Sequence, residues 1–359
     1  MKVLTIVGAR PQFIKAAPVS KALREAGHKE ILVHTGQHYD DGMSRVFFDE
    51  MKIPEPNVNL GVGSGSHGWQ TGQMLMLLEK VMQQHQPDWV LVYGDTNSTL
   101  AGALAACKLP LPIAHVEAGL RSFNRGMPEE HNRVLTDHCA SLLFCPTQTA
   151  VNNLEREGIT RAVRLVGDTM FDAVLQFAEI ANQRSEILDK LKVKSKGYLL
   201  ATLHRPYNTD VPENLRNILS AFADMNDPIV FPVHPRSRKM IAELNKTIDM
   251  EGVGDNLIMI EPVGYLDMLM LEQHANLILT DSGGVQKEAY FFSVPCITLR
   301  PETEWVETLG AGWNVVVGAD RAKILAARDR EWPHGSPPRV FGDGRAAHHI
   351  VAGLAEGLS

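Results

Sequence analysis

Short apolar runs, rich in β-branched residues, alternate along this chain with longer segments whose apolar positions recur at helical spacing. In the first half the apolar runs are KVLTIVG, EILVHTG, WVLVYGD, IAHVEAG, LLFCPT and VRLVGD. Segments with helical patterns, such as FIKAAPVSKALREAG and GWQTGQMLMLLEKVMQQHQ, lie between them. Strands that are apolar throughout and separated by helices are typical of a parallel sheet covered on both faces. The pattern therefore predicts an α/β fold.

The second half repeats this alternation with the runs YLLATLH, IVFPVHP, NLIMIEP, NLILTDSG, PCITLR and NVVVG. Between the halves, residues 169–197 have a helical pattern and end in the polar stretch KVKSKG. We therefore expect two doubly wound, Rossmann-like domains facing a cleft, an N-terminal one over residues 1–168 and a C-terminal one over residues 169–342. Residues 343–359 have apolar positions at helical spacing, and we expect a C-terminal helix that packs back on the N-terminal domain.

Composition narrows the function. The 359 residues are enough for two buried cores, and 44% of them are hydrophobic. The net charge is -7 and no Lys/Arg-rich run occurs, so we expect no nucleic-acid partner. No apolar stretch reaches the ~18 residues of a membrane-spanning helix, and no signal-peptide pattern is seen, so we expect a cytoplasmic protein without membrane insertion. Four cysteines without a CxxC motif predict reduced thiols in the core.

Polar residues gather where the predicted strands end. In doubly wound sheets, ligands bind beyond the carboxyl ends of the strands, so this placement predicts a site there. The histidines and cysteines do not form a tetrahedral ligand set, and we predict no metal. The residues at the strand ends are Gly8 and Arg10, Gly36 and Gln37, Gly94 and Asp95, Glu117, His204, His234, and Asp281 and Ser282.

The stretch TDSGGVQKEA follows a strand and opens a helix. Gly283 and Gly284 let the backbone approach a ligand closely, and the N–H groups of the following helix attract an anion. Ser282 adds a hydroxyl donor, and Glu288 can accept hydrogen bonds from a ribose diol. The alternative is an ordinary capped helix, with Ser282 or Asp281 as the N-cap.

Basic and imidazole side chains follow other strands. Arg10 and Lys15 lie near the start of the first helix, in a stretch that is neither a Walker A loop nor a GxGxxG fingerprint. They suit phosphate contact, and the alternative is a turn with solvated charges. His204, His234 and Arg236 lie at two strand ends of the second half, where they can contact a phosphate or a leaving group.

The stretch HVEAGLRSFNRGMPEEHNR (115–133) carries three carboxylates that suit acid–base chemistry. Glu117 ends a buried strand, where a charge needs a partner. Glu129 and Glu130 follow Pro128, the predicted first position of a helix, where acids also stabilise the helix dipole without any catalytic role. Asp95 is either a helix cap or an active-site acid. Clustered carboxylates raise one another's pKa, which suits a general base near neutral pH.

Taken together, these motifs resemble the non-hydrolysing UDP-N-acetylglucosamine 2-epimerase family over nearly the whole chain. The matching stretches are GARPQFIKAAPV, TGQHYD, GDTNST, HVEAGLRS, PEEHNR, VGDTMFDAV, HR, PVHP, EPVGYLDML, TDSGGVQKEA and TEWVETLGAG. The resemblance implies a glycosyltransferase-B-like fold and an isomerase that needs no metal or cofactor. It further implies that UDP is eliminated across C1–C2 of the sugar, leaving a 2-acetamidoglucal, and adds back with C2 inverted. A homodimer and a role in cell-surface polysaccharide biosynthesis are also implied.

The resemblance also assigns roles to individual residues. The family's acids match Asp95, Glu117 and Glu129, and its histidine at the departing pyrophosphate matches His204. Its remaining contacts match the following positions: Arg10, Lys15, Ser282, Gly283 and Gly284 for phosphate, Glu288 for ribose, Pro262 and Tyr265 near uracil, and Gln37, His38 and Gln70 for a regulatory or sugar contact.

Three segments depart from the pattern expected for plain UDP-N-acetylglucosamine. HRPYNTD and TEWVET stand where HRREN and TERPE are usual, and SGSHGWQTG precedes a helix. These segments resemble the branch that acts on UDP-2,3-diacetamido-2,3-dideoxyglucuronate. The substrate therefore stays open between the two sugars. A sugar transferase of glycosyltransferase-B type and a non-catalytic nucleotide-sugar binding protein are the alternatives of other classes.

Overall fold

A computed structural model describes residues 1–37, 55–233, 237–241 and 256–357 of the chain. The chain divides into two compact units. Unit 1 consists of Met1–Gln176 together with Arg339–Ser359, and unit 2 consists of Phe177–Pro338.

Unit 1 is built on a seven-stranded parallel sheet. Its strands are β1 (Lys2–Val7), β2 (Lys29–His34), β3 (Val58–Asn59), β4 (Trp89–Tyr93), β5 (Ile113–Val116), β6 (Leu142–Cys145) and β7 (Val163–Leu165). The helices described in this unit are α1 (Arg10–Glu25), α2 (His67–His85), α3 (Asn97–Lys108), α4 (Pro128–Cys139), α5 (Gln148–Arg156), α6 (Thr169–Arg184), which runs on into unit 2, and α14 (Ala346–Glu356).

Unit 2 contains a six-stranded parallel sheet. Its strands are β8 (Leu199–Thr202), β9 (Ile229–Pro232), β10 (Leu257–Ile260), β11 (Leu277–Thr280), β12 (Cys296–Thr298) and β13 (Asn314–Val316). The helices described within it are α7 (Ile187–Leu191), α8 (Pro206–Thr209), α9 (Pro212–Ala223), α10 (Tyr265–His274), α11 (Gly283–Phe291), α12 (Val306–Gly310) and α13 (Arg321–Arg328).

Both sheets have a point where the strand order reverses. The order in unit 1 is β3-β2-β1-β4-β5-β6-β7, so successive strands run outward from the β1–β4 pair in both directions. The order in unit 2 is β10-β9-β8-β11-β12-β13, which places the corresponding reversal at β8–β11. Such reversal points open a crevice at the carboxyl edge, and it is there that ligands bind in doubly wound sheets. The expected fold of two doubly wound parallel α/β units is confirmed.

Strand residues build the core of each unit. In unit 1, Ile6 of β1 and Val92 of β4 pack with residues of α2 and α3. In unit 2, Leu279 and Ile297 pack with residues of α9 and α13. Each apolar run that predicts a strand forms one in the structure. Among the described strands, only β3 was not predicted, because a strand of two residues is too short to show an apolar pattern.

The four cysteines differ in burial. Cys145 and Cys296 are buried free thiols, as expected for core cysteines, but Cys107 is exposed. The expectation of core thiols is therefore wrong for Cys107, which lies in the last turn of α3, and Cys139 at the end of α4 is only partly buried. No helix within the described ranges is long and apolar enough to cross a membrane.

Candidate active site

Glu117, which directly follows β5, is the central carboxylate among the predicted catalytic acids of unit 1. Its φ of 70° lies in the left-handed region, which costs a residue with a side chain roughly 1–3 kcal/mol. The N–H groups of Glu117 and Ala118 both donate to the carbonyl of Phe144, at 3.1 Å each. This backbone turn directs the Glu117 carboxylate to Lys15 of α1, whose Nζ lies 2.6 Å from Oε2. The two side chains are only 6% and 11% exposed, so the buried carboxylate has the partner that its position requires.

The next strand end brings Gly94 against this ion pair. Gly94 has a φ of 62°, and a Cβ at this position would lie 3.4 Å from the Nζ of Lys15 and 3.9 Å from Oε1 of Glu117. Its carbonyl oxygen is 2.8 Å from Nε2 of His115, a fully buried residue of β5. The other ring nitrogen of His115 lies 2.7 Å from Oδ1 of Asp137. His115 therefore connects the backbone of the site to α4.

Asp137 is the anchor of a buried charge network beneath the site. Its Oδ2 accepts from Nη1 of Arg121 at 2.7 Å and from the N–H of Gly119 at 3.1 Å. Arg121 in turn contacts Glu157 with two bonds of 2.7 Å. Burial alone would raise the pKa of Asp137, but His115 and Arg121 together hold it below its usual value. The loop after Glu117 is thereby fixed at both Gly119 and Arg121.

Asp95 follows Gly94 at the end of β4 and forms an ion pair with Arg133 of α4. Its side chain is 28% exposed, so part of the carboxylate faces solvent. The alternative of Asp95 as a helix cap is wrong, because the N-cap of α3 is Thr96, whose side chain accepts from the N–H of Thr99. Asn132 also contacts this turn, with Nδ2 donating to the Asp95 carbonyl at 2.9 Å.

Glu130 shares Arg133 with Asp95, at 2.9 Å from Nη1, as the one-turn spacing indicates. Its carboxylate also accepts from the N–H and hydroxyl of Ser122 and from the N–H of Phe123, each at 2.9 Å. Glu130 is therefore a buried brace for the loop that links β5 to α4. Glu129 lies beside it in the first turn of α4, where it is half-buried.

Two of the three predicted regulatory residues also lie in unit 1 near α3. Oε1 of Gln37 accepts from the N–H and hydroxyl of Ser98, at 3.0 and 2.7 Å. Gln70 donates from Nε2 to the Gln37 carbonyl at 3.3 Å and accepts from Asn97 at 2.8 Å. The structure thus brings Gln37 and Gln70 together at the N terminus of α3. His38 lies outside the described residues.

In unit 2, Asp281 and His204 meet at the ends of β11 and β8, where the strand order reverses. Oδ1 of Asp281 lies 3.1 Å from Nδ1 of His204, and the carboxylate also accepts from the backbone N–H groups of His204 and Arg205. Asn208 donates to Oδ2 at 3.0 Å. Burial would raise the pKa of Asp281, but His204 and the other donors lower it. Asp281 therefore orients the half-exposed imidazole of His204, with Nε2 on the opposite side of the ring.

The N terminus of α11 carries the predicted anion-binding residues. Ser282 is its N-cap, and its Oγ accepts from the N–H of Val285 at 3.4 Å, so the capping alternative is confirmed for Ser282. Capping does not exclude anion binding, because the N–H groups of the first turn have no acceptor within the helix. Gly283 and Gly284 occupy that first turn.

Glu288 lies one turn further along α11 and is buried. The hydroxyl of Tyr265, the first residue of α10, lies 3.0 Å from its Oε1. Tyr265 itself packs edge-on against Phe177, while Pro262 is exposed nearby in the sequence. Arg10 is the first residue of α1. His234 and Arg236 lie outside the described residues.

Several buried residues beneath the site were not predicted, although all except Asp137 stand inside the quoted motifs. Their signal was a polar residue buried in an apolar context, which becomes visible only once the fold shows which positions face inward. They are His115, Asn132 and Asp137 in unit 1, and Asn208 in unit 2.

The sequence matches the family described as UDP-N-acetylglucosamine 2-epimerase over residues 21–355. A UDP-N-acetylglucosamine 2-epimerase homolog of Methanococcus maripaludis is 55% identical over 353 residues, which cover 98% of this chain and 98% of that protein. UDP-2,3-diacetamido-2,3-dideoxy-D-glucuronate 2-epimerase of Pseudomonas aeruginosa is 48% identical, with 99% of this chain and all of that protein covered.

Solved structures agree with these relatives. The UDP-GlcNAc 2-epimerase of Methanocaldococcus jannaschii, in complex with UDP-GlcNAc and UDP, has a TM-score of 0.90 at 45% identity, covering 99% of this chain and all of that chain. The calicheamicin glycosyltransferase CalG4 shares the fold alone, with a TM-score of 0.53 at 17% identity over all of this chain and 94% of that chain. The match along nearly all of its length shows that the chain belongs to the UDP-N-acetylglucosamine 2-epimerase family, a family of isomerases.

Proposed function

We propose that this protein inverts C2 of UDP-N-acetylglucosamine by eliminating UDP across C1–C2 and adding it back to the opposite configuration. The observation that carries the proposal is the buried Lys15–Glu117 ion pair beside Asp95, in a chain that belongs to this family. Glu117 keeps a left-handed backbone conformation to present its carboxylate, and such outliers are concentrated at functional sites.

The chemistry requires two kinds of group. The hydrogen on C2 is not next to a carbonyl, so its removal needs a base together with stabilisation of the departing UDP. In the proposal, Asp95, Glu117 and Glu129 of unit 1 form the base and acid set, without a division of roles among them. His204 and the first turn of α11 in unit 2 hold the diphosphate as the C1–O bond breaks.

A second candidate substrate is suggested by one departure from the plain-sugar pattern. Trp305 stands where the plain-sugar pattern TERPE has arginine, and its Nε1 would lie 3.4 Å from a Cβ on Gly283. The departure thus falls beside the proposed phosphate position. The relative that acts on UDP-2,3-diacetamido-2,3-dideoxy-D-glucuronate is 48% identical, so this diacetamido uronate is the second candidate substrate.

Incubation of the purified protein in D2O with each UDP-sugar separately tests both candidates. NMR is expected to show inversion at C2 of one sugar, with solvent deuterium at that carbon. Transfer of the sugar to an acceptor with the C2 proton retained would instead establish a glycosyltransferase. Tight UDP binding without exchange at C2 would establish a binding protein. A folded protein that neither binds nor turns over either sugar contradicts the proposal.

Two further points belong to the proposal and rest on the family resemblance. We infer a homodimer that acts in the cytoplasm on precursors of cell-surface polysaccharide. Light scattering coupled to size-exclusion chromatography is expected to give twice the chain mass, and a monomer mass would contradict this point. Fractionation of cells that express the protein tests its location.

A further inference from the structure

Arg300 and Glu304 form a buried ion pair at the carboxyl edge of the sheet in unit 2. Arg300 follows β12, whose neighbour β11 leads into Asp281, Ser282 and α11. Nη2 of Arg300 lies 3.1 Å from Oε2 of Glu304, and the two side chains are 6% and 11% exposed. Neither residue has a role in the site described so far.

The Glu304 carboxylate lies against the first residue of α11. A Cβ on Gly283 would lie 2.6 Å from Oε1 of Glu304, so the carboxylate contacts this position only because glycine occupies it. A carboxylate at a helix N terminus is favoured by the dipole, for the same reason that a phosphate is favoured there. Glu304 therefore has its negative charge at the position proposed for the diphosphate of the nucleotide.

Arg300 has donor capacity beyond this one carboxylate. Its Nη1 is buried and has no hydrogen-bond partner among the residues that the structure describes. A buried donor without an acceptor is costly, and the planar guanidinium fork is suited to two oxygens at once. A diphosphate presents more oxygens than one carboxylate, and could therefore satisfy both guanidinium nitrogens.

We propose that Arg300 binds the diphosphate of the UDP-sugar and that Glu304 is an internal anion that competes with it. The inference rests on the proposed function and deepens it. Two anions cannot share the N terminus of α11 and Arg300 without strong repulsion, so phosphate binding must break the Arg300–Glu304 pair and expel the carboxylate. Glu304 thus lowers the affinity for UDP and promotes its release.

Titration calorimetry with UDP and with uridine tests the competition. Glu304→Gln is expected to bind UDP roughly five- to tenfold more tightly, because a competing charge is lost. Arg300→Gln is expected to bind UDP roughly 10- to 100-fold more weakly, because a charge-assisted contact is lost. Uridine, which lacks phosphate, should bind all variants equally. Glu331→Gln, at an exposed position of the same unit, removes one negative charge and should change neither affinity.

The outcomes separate this inference from the proposed function. If the unaltered protein binds UDP but Glu304→Gln binds it equally or more weakly, the ion pair is structural and the competition is refuted. If the unaltered protein does not bind UDP at all, the proposed function itself fails. Should Arg300→Gln not fold, Arg300→Lys keeps the charge without the fork, and an unchanged UDP affinity in that variant would refute bidentate phosphate contact.

Discussion

The carboxyl edges of the two sheets are built from different chemistry although their topology is alike. In unit 1 this edge is crowded with paired charges, from Lys15 and Glu117 to Asp95 and Arg133. In unit 2 the edge has one buried ion pair, Arg300–Glu304, beside a helix N terminus with two glycines. Its central acid, Asp281, accepts hydrogen bonds from backbone N–H groups and contacts His204. Charges that can exchange protons suit bond making at carbon, whereas N–H groups suit an anion that must be held and released.

The contrast also concerns how each edge is held in place. Beneath the acids of unit 1 lies the buried charge network anchored by Asp137. In this network a relay of contacts runs from the Gly94 carbonyl through His115 and Asp137 to Arg121. In unit 2, Asp281 performs this function largely through neutral donors, including Asn208. A charged support makes the geometry of unit 1 depend on every member of the relay, because an unpaired buried charge is costly.

Loss of an acid in unit 1 is expected to have the largest effect. Asp95→Asn, Glu117→Gln and Glu129→Gln should each lower turnover by roughly 10²–10⁴-fold, the contribution expected of acid–base groups, while UDP affinity is largely kept. Steady-state rates and calorimetry with UDP measure the two quantities. Glu155→Gln, at an exposed position of the same unit, is the matched control. Normal rates in all three variants would make Asp95 and Glu117 structural partners of Arg133 and Lys15, and Glu129 an ordinary first-turn acid of α4.

Glu130 is unsuitable as a control for these acids. Its buried carboxylate braces Ser122 and Phe123, so Glu130→Gln disturbs the loop whichever acid is catalytic. This example shows the limit of sequence reasoning. Glu129 and Glu130 are adjacent in the first turn of α4, and the sequence does not indicate which of the two will accept hydrogen bonds from the loop. The strands, by contrast, could be predicted because a run of apolar residues indicates by itself that the segment is buried.

The same limit applies to two ion pairs that the sequence does not predict. Asp95 has the residue type and position of a helix cap, but the cap falls one residue later at Thr96, and Asp95 is left for Arg133. The position of Lys15 suits phosphate contact, and the structure pairs its side chain with Glu117, which follows a strand far along the chain. Strand ends therefore predict where polar side chains gather, while the partners of these side chains depend on contacts between elements distant in sequence.

Removal of the anchor of the charge relay should mainly cost stability. Asp137→Asn leaves Arg121 and His115 without their shared carboxylate, and breaking a buried pair in this way costs about 3–5 kcal/mol. Hydrogen-exchange mass spectrometry is expected to show faster exchange in α4 and in the loop after Glu117, with unit 2 unaffected. Asp88→Asn, at an exposed position of the same unit, is the control. Unchanged exchange in α4 would mean that the relay does not hold the edge.

The ribose contact proposed for unit 2 should affect affinity rather than chemistry. Glu288→Gln is expected to weaken UDP binding by roughly 10- to 100-fold, because hydrogen bonds to a charged group are lost. At saturating UDP-sugar, deuterium incorporation at C2 should continue. The comparison of UDP with 2′-deoxy-UDP isolates the contact, since the variant should no longer distinguish them. If the variant still prefers UDP over 2′-deoxy-UDP to the same degree, Glu288 does not contact the ribose 2′-hydroxyl and serves only as a partner of Tyr265.

The smallest expected effect concerns α14, the C-terminal helix. This helix belongs to unit 1, which is therefore built from two separate segments of the chain, whereas unit 2 is one continuous segment. Asp172 of α6 is 7% exposed and accepts from the N–H groups of Ala346 and Ala347, at 3.1 and 2.8 Å. Burial raises the pKa of Asp172 to about 6, and the two N–H groups only partly oppose this rise. The folded state therefore binds more protons than the unfolded state between pH ~4 and 6, where an unfolded aspartate has lost its proton.

The sign follows from this difference in bound protons. The contribution of protonated Asp172 is fully present below pH ~4 and is lost as the pH rises through about 6, by roughly 1–3 kcal/mol. Denaturant titrations monitored by exchange in α14 should show the stability of the unaltered protein falling toward pH 7 relative to Asp172→Asn, whose amide does not titrate. A rise in relative stability toward pH 7 would mean that the two N–H groups, acting with the helix dipole, outweigh burial. In that case the carboxylate would fasten α14 most firmly at neutral pH, and unit 1 would owe its closure to the same kind of helix-terminus anion contact that is proposed for phosphate in unit 2.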